Sequence, residues 1–208
     1  MRIATLSVAL ATLVACIPDL GDQGVAVTGV DVAPTEDTAV EDGPSDYGPS
    51  NSWWHASQDD VPSDLAGTGF RKGDIAGNFT AVDQHGDTVE LYQFFGQVIV
   101  IDVFTEWCGP CQDMAPEGEE VWQQYGDQGF VYLAAMQENK DGKRPDSDDA
   151  ARWASSFGLS HPVLADADQF NDDYAVSGYP TVVVIDREMT IVEEDLWPFD
   201  PSAIEDYL

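Results

Sequence analysis

Three cysteines occur in the 208 residues, and two of them sit three apart in FTEWCGPCQDMAP (104–116), as Cys108-Gly109-Pro110-Cys111. A C-x-x-C pair alone leaves two chemistries open, thiol–disulfide exchange and metal ligation. Position narrows the choice. The apolar, β-branched run QVIVIDVF (97–104) reads as a strand covered on both faces, and Pro110 to Tyr125 reads as a helix with Pro116 placed to kink it. Cys108 then stands at a helix N-terminus, where unpaired amides and the helix dipole favour a thiolate. Such a site lowers a thiol pKa from about 8.5 to roughly 3.5–7.5.

The surrounding elements follow from pattern. NFTAVDQHGDTVEL (78–91) shows two alternating segments about a polar turn, a hairpin. FVYLAAM (130–136) is a second buried strand, and DSDDAARWASSFG (146–158) a helix that opens on acidic residues and stops at Gly158. HPVLA, a short helix near Phe170 to Tyr174, TVVVID and TIVEEDL follow, the last two as an antiparallel pair. At the end, Asp200 serves as N-cap and Pro201 as first residue of a short helix. Strands alternating with helices predict an α/β fold, a central mixed β-sheet with helices on both faces.

VIVIDVFTEWCGPCQDMAP resembles the active-site stretch of thioredoxins, and residues 67–208 resemble the exported TlpA/ResA-type branch of that superfamily. The marks are Gly73 ahead of the hairpin, the DQHGDTVEL turn, an insertion from Glu138 to Pro162 between core strands, and VLADADQFNDDYAVSGYPTVVVID. The resemblance implies a thioredoxin-like fold with an N-terminal hairpin extension, and a redox-active disulfide between Cys108 and Cys111. Cys108 is then the accessible nucleophile and Cys111 the more shielded resolving thiol. Asp102, six residues before Cys108, matches a buried aspartate that accepts the Cys111 proton. Pro180 in SGYPT matches the superfamily's cis-proline, which sets the Tyr179 backbone beside Cys108 to pair with an extended substrate. Trp107, Gly109 and Pro110 complete the expected substrate surface, Trp107 either packing over the disulfide or serving as a core aromatic. One departure is plain: ResA-like proteins commonly carry a glutamate three residues after the second cysteine, and this chain has Met114. Nor does FVYLAAM offer a lysine opposite Asp102.

The first residues, MRIATLSVALATLVAC, form a basic residue and an apolar stretch shorter than the roughly 20 residues a membrane span takes, which reads as a signal peptide. Leu13-Val14-Ala15-Cys16 resembles a bacterial lipobox, implying cleavage after residue 15 and lipidation of Cys16; Ile17 in place of Asp favours the outer membrane of a Gram-negative cell. Residues 16–66 are rich in Asp, Glu, Gly, Pro and Ser, and beyond 16 hold no Lys or Arg, the composition of a disordered acidic tether. Trp53 and Trp54 interrupt it, read first as a local apolar pair and alternatively as docking onto the domain. Three segments result: 1–15, 16–66 and a domain at 67–208.

With 39 acidic against 8 basic side chains, the net charge of −31 opposes nucleic-acid binding. DADQFNDD (166–173) lacks the oxygen ligands and glycine of a calcium loop, and His55, His85 and His161 lack metal-ligand spacing. No metal or other cofactor is called for. The expected function is a lipid-anchored, monomeric oxidoreductase of the cell envelope that reduces protein disulfides, fed by a DsbD- or CcdA-like membrane donor. A disulfide oxidase or isomerase, or a metal-handling or docking module on the same fold, are the alternatives.

Overall fold

The computed structural model describes residues 51–53, 61–165 and 176–208. Seven strands form one mixed sheet: β1 (Thr80–Asp83), β2 (Thr88–Glu90), β3 (Val98–Thr105), β4 (Phe130–Glu138), β5 (Val163–Ala165), β6 (Thr181–Ile185) and β7 (Ile191–Glu193), in the order β2-β1-β5-β4-β3-β6-β7. The helices are α1 (Gly109–Tyr125), α2 (Ser147–Phe157) and α3 (Ser202–Glu205). The short helix expected near Phe170 and the rejected calcium loop lie outside the described residues.

β3 is buried along its whole length between parallel β4 and antiparallel β6, the reason its sequence is apolar apart from Asp102 and the closing Thr105. Its alternate side chains serve two cores. Val98, Val100 and Phe104 join Met114, Val121, Trp153 and Ile204 of the three α-helices on one face. Ile99, Ile101 and Val103 join Leu91, Tyr92 and Phe94 of a 3₁₀ turn (Leu91–Phe94) on the other. The hairpin extends the sheet at its edge, β1 pairing antiparallel with both β2 and β5.

Helix boundaries follow from local chemistry. Asp146 accepts the Asp149 amide at 3.1 Å and forms a capping box on α2, which ends at left-handed Gly158. Asp200 accepts the Ser202 amide at 3.0 Å, and Pro201 already has helical dihedrals, so the expected cap of α3 is present. Trp53 corrects the reading of a local pair: its indole Nε1 donates to Asp83 at 2.6 Å and its ring stacks on His85 at 5.7 Å. With Val61 buried and Asn51 bonded to Thr88 and Gln93, the packed unit takes in residues on the tether side of position 67.

Gly118 lies where α1 crosses Tyr132 of β4; a Cβ there would meet that ring at 2.7 Å. Gly118→Ala is expected to destabilise the fold by about 1–3 kcal/mol through overpacking, measured by urea denaturation. Gly109→Ala, with nothing within 4 Å of the added methyl, is the near-neutral comparison.

Candidate active site

The bend that carries Cys108 is held from both sides. Its amide donates to Thr105 at the end of β3 (3.1 Å), and its carbonyl accepts the Gln112 amide (3.1 Å). Cys108 has extended dihedrals and caps α1, its Sγ accepting the Cys111 amide at 3.2 Å. The sulfur therefore occupies the place of an N-cap oxygen, where a negative charge meets an unpaired donor and the positive end of a 17-residue helix. Pro110 fills the first turn without an amide to satisfy. Cys108 and Cys111 are joined as a disulfide with Cα atoms 5.3 Å apart. The expected contrast in access is small in this form: Cys108 is 5% exposed and Cys111 1%, both within the apolar cluster under α1. Gly109 and Pro110 are the exposed part of the motif.

Asp102 belongs by strand alternation to the same face of β3 as Val100 and Phe104, beneath α1, and is 4% exposed. Burial pushes its carboxyl up to about 7, partly offset by a hydrogen bond from Tyr132. Tyr132 Oη donates to Oδ2 at 3.2 Å, while Oδ1 has no hydrogen-bond partner among the described residues. Asp102 is thus a buried carboxyl able to change protonation state near neutrality, as a group that takes a proton from Cys111 must. On the neighbouring strand, which offers no lysine, the donor to Asp102 is Tyr132. Asp102 faces Ala134 across the β3–β4 ladder and Tyr132 lies two residues earlier, on the same side of β4. A tyrosine in a buried strand needs a partner for its hydroxyl, and that rule together with the strand pairing is the signal that could have found it. His161 packs on Tyr132 at 4.8 Å, and burial pushes its imidazole down to about 4, leaving it neutral at physiological pH. Met114 is buried in this cluster, so the place of the family's glutamate is apolar here.

Of the residues expected to receive substrate, Pro110, Tyr179 and Pro180 line one groove. The Tyr179–Pro180 bond is cis, and so is Trp197–Pro198, which the sequence reading did not anticipate. Trp107 is no core aromatic: it is 53% exposed, meets Tyr179 edge-on at 6.0 Å, and donates from Nε1 to Glu138 at 2.8 Å. Glu106 beside it is clamped by Arg152 of α2 through two bonds of 2.9 and 2.7 Å, and accepts the Lys140 amide at 2.8 Å. That bidentate pair fixes the loop entering the motif from outside.

Because Asp102 holds its proton more tightly folded than unfolded, its linkage has a definite sign. Stability falls as pH rises from about 4 to about 7, by on the order of 4 kcal/mol in all. Asp102→Asn is expected to be the more stable protein at pH 8, by a few kcal/mol, with the gap closing below pH 4; denaturation across pH reads it. Tyr132→Phe removes the bond that favours the carboxylate, so the pH midpoint of Cys111 reactivity is expected to move upward, with the fold intact by circular dichroism.

Residues 72–194 match the AhpC/TSA family. The chain is 28% identical over 139 residues to the thiol-disulfide oxidoreductase ResA of Bacillus subtilis, covering 66% of this chain and 74% of that protein. It is 26% identical over 123 residues to the thioredoxin-like protein YneN of the same organism, covering 59% and 70%. A Chlorobium tepidum structure assigned to the thiol:disulfide interchange protein DsbE superposes with a TM-score of 0.56 at 27% identity, covering 66% of this chain and 95% of that one. The thioredoxin domain of a Bacteroides vulgatus thiol-disulfide oxidoreductase shares the fold, with a TM-score of 0.57 at 19% identity and coverage of 66% and 97%. With its fold, its helix-capping disulfide and these relatives in agreement, the chain belongs to the AhpC/TSA family as a thioredoxin-like thiol-disulfide oxidoreductase.

Proposed function

We propose that this oxidoreductase reduces protein disulfides outside the cytosol. The observation that carries the exchange chemistry is Cys108 Sγ at the α1 N-terminus, covalently joined to Cys111 and accepting its amide. In the reduced protein the Cys108 thiolate attacks one sulfur of a substrate disulfide, and the departing substrate thiolate takes up a proton. Cys111 passes its proton to Asp102 and attacks Cys108. The second substrate thiolate leaves, and the pair of electrons has moved from the dithiol to the substrate. The exposed Gly109-Pro110 tip and the Tyr179 backbone before Pro180 receive the substrate segment in extended form.

Direction rests on the Gly-Pro spacer, which resembles that of reducing thioredoxins. Their potential is roughly −270 mV against roughly −120 mV for a strong oxidant, a difference of about 7 kcal/mol. A reductant in the envelope must be recharged, and a DsbD- or CcdA-like membrane dithiol is the donor we assign. The signal-like segment and Cys16 support a lipid anchor, with two or more acyl chains enough for stable attachment. Residues 17–50, ahead of the docked Asn51 and Trp53, then hold the domain on the order of 30 Å from the membrane. The domain acts as a monomer and needs no cofactor, since both electrons reside on its own sulfurs.

A potential below about −220 mV, with turnover of insulin disulfides that Cys108→Ser abolishes, is the expected result; a potential near −120 mV would make the protein an oxidase instead. Anchoring has its own readout. Labelled palmitate is expected on the full chain expressed in a bacterium and absent from Cys16→Ser, and label retained by the variant would refute the anchor.

A further inference from the structure

The geometry points to a cationic substrate: a polypeptide whose exchanging cysteine is followed or preceded within two residues by lysine or arginine. The inference rests on the exchange reaction above and names the class of segment that enters it. Trp107 and Trp197, 53% and 52% exposed, are the large apolar side chains left open among the described residues, although the domain has two full cores in which to bury such rings. Exposed indoles beside a reactive sulfur mark a contact surface.

Trp197 and Pro110 are shared by two grooves. One, of about 360 Å³, is also lined by Asp113, Glu117 and Phe199. The other, of about 320 Å³, is also lined by Ser177, Tyr179, Pro180 and Asp195. A segment lying along the Tyr179 backbone with its cysteine at Cys108 therefore places residues on either side of that cysteine against Trp197 and these carboxylates. Asp113, Glu117 and Asp195 are exposed and stand in no salt bridge among the described residues, and no lysine or arginine lines either groove. The neighbouring Glu106 is different, already neutralised by Arg152. Asp195 holds a left-handed φ of 62°, a conformation that Asn and Gly take as readily, so the carboxylate is not required by the backbone. Indole faces attract ammonium and guanidinium groups, and carboxylates rimming an apolar groove add long-range attraction. An anionic segment meets the same surface with unpaired like charge, which selects against it.

Disulfide-linked peptides that differ only in Lys, Gln or Glu next to the cysteine test this on the full chain carrying Cys111→Ser, with mixed-disulfide formation followed by mass. The Lys peptide is expected to be captured about tenfold faster than the Glu peptide at low ionic strength, with Gln between. Asp113→Asn/Glu117→Gln/Asp195→Asn should bring the three rates within about twofold of one another. Asp87→Asn/Glu188→Gln, in the β1–β2 and β6–β7 turns, should preserve the ranking and so separate the groove from overall charge. Equal capture of all three peptides, or a ranking untouched by the triple substitution, overturns the inference and leaves the exchange reaction standing. Capture of none removes the exchange reaction, and this inference with it.

Discussion

The structure turns on a sulfur doing the work of a helix cap. An α-helix begins with amides that have no partner in the helix, and side-chain oxygens usually satisfy them. Here Cys108 Sγ takes that role toward the Cys111 amide. A thiol is a poor acceptor and a thiolate a good one, so the need to cap α1 and the need for a nucleophile become one requirement. Everything nearby serves to keep the sulfur there. β3 is locked between two neighbours, Thr105 holds the Cys108 amide, Pro110 sets the first turn, and the Glu106–Arg152 pair ties the entering loop to α2.

The exchange proposed above calls for a second group beneath the cap that takes up and returns the Cys111 proton. Asp102 is suited to this because burial holds its carboxyl near 7 and not in the usual carboxylate range. An ionised aspartate without a donor would be costly at that depth. The Tyr132 hydroxyl supplies one donor and leaves Oδ1 unpaired, which keeps the proton equilibrium balanced and not settled on either side. Gly118 makes room for that ring, so a packing detail of α1 bears directly on the hydrogen bond that Asp102 accepts.

Much of this was legible in the residues. The apolar, β-branched run of β3 announced a central strand, the Gly and Asp boundaries of α2 were readable, and C-x-x-C between strand and helix placed the thiols at a helix start. The Tyr132–Asp102 contact was hidden because it depends on the β3–β4 register, which pairs Asp102 with Ala134; composition does not reveal register. Trp107 was ambiguous because an aromatic after a buried strand can turn inward or outward, and only its bond to Glu138 and contact with Tyr179 settle the direction. For Trp53 docking was only the second reading, for a related reason. Its partners, Asp83 and His85, lie some thirty residues away in the hairpin, and a polar tether gives no local sign of docking. Trp197 escaped notice because it belongs to an irregular connection, where periodicity says nothing.

The most direct test of the account is the pH dependence of Cys108 alkylation in the reduced protein, with Cys111→Ala removing the competing thiol. If capping α1 stabilises the thiolate, the rate reaches half its maximum below about pH 7.5. A midpoint at or above the ordinary value of about 8.5 would show that the helix end does nothing for the sulfur, and would contradict the mechanism at its base.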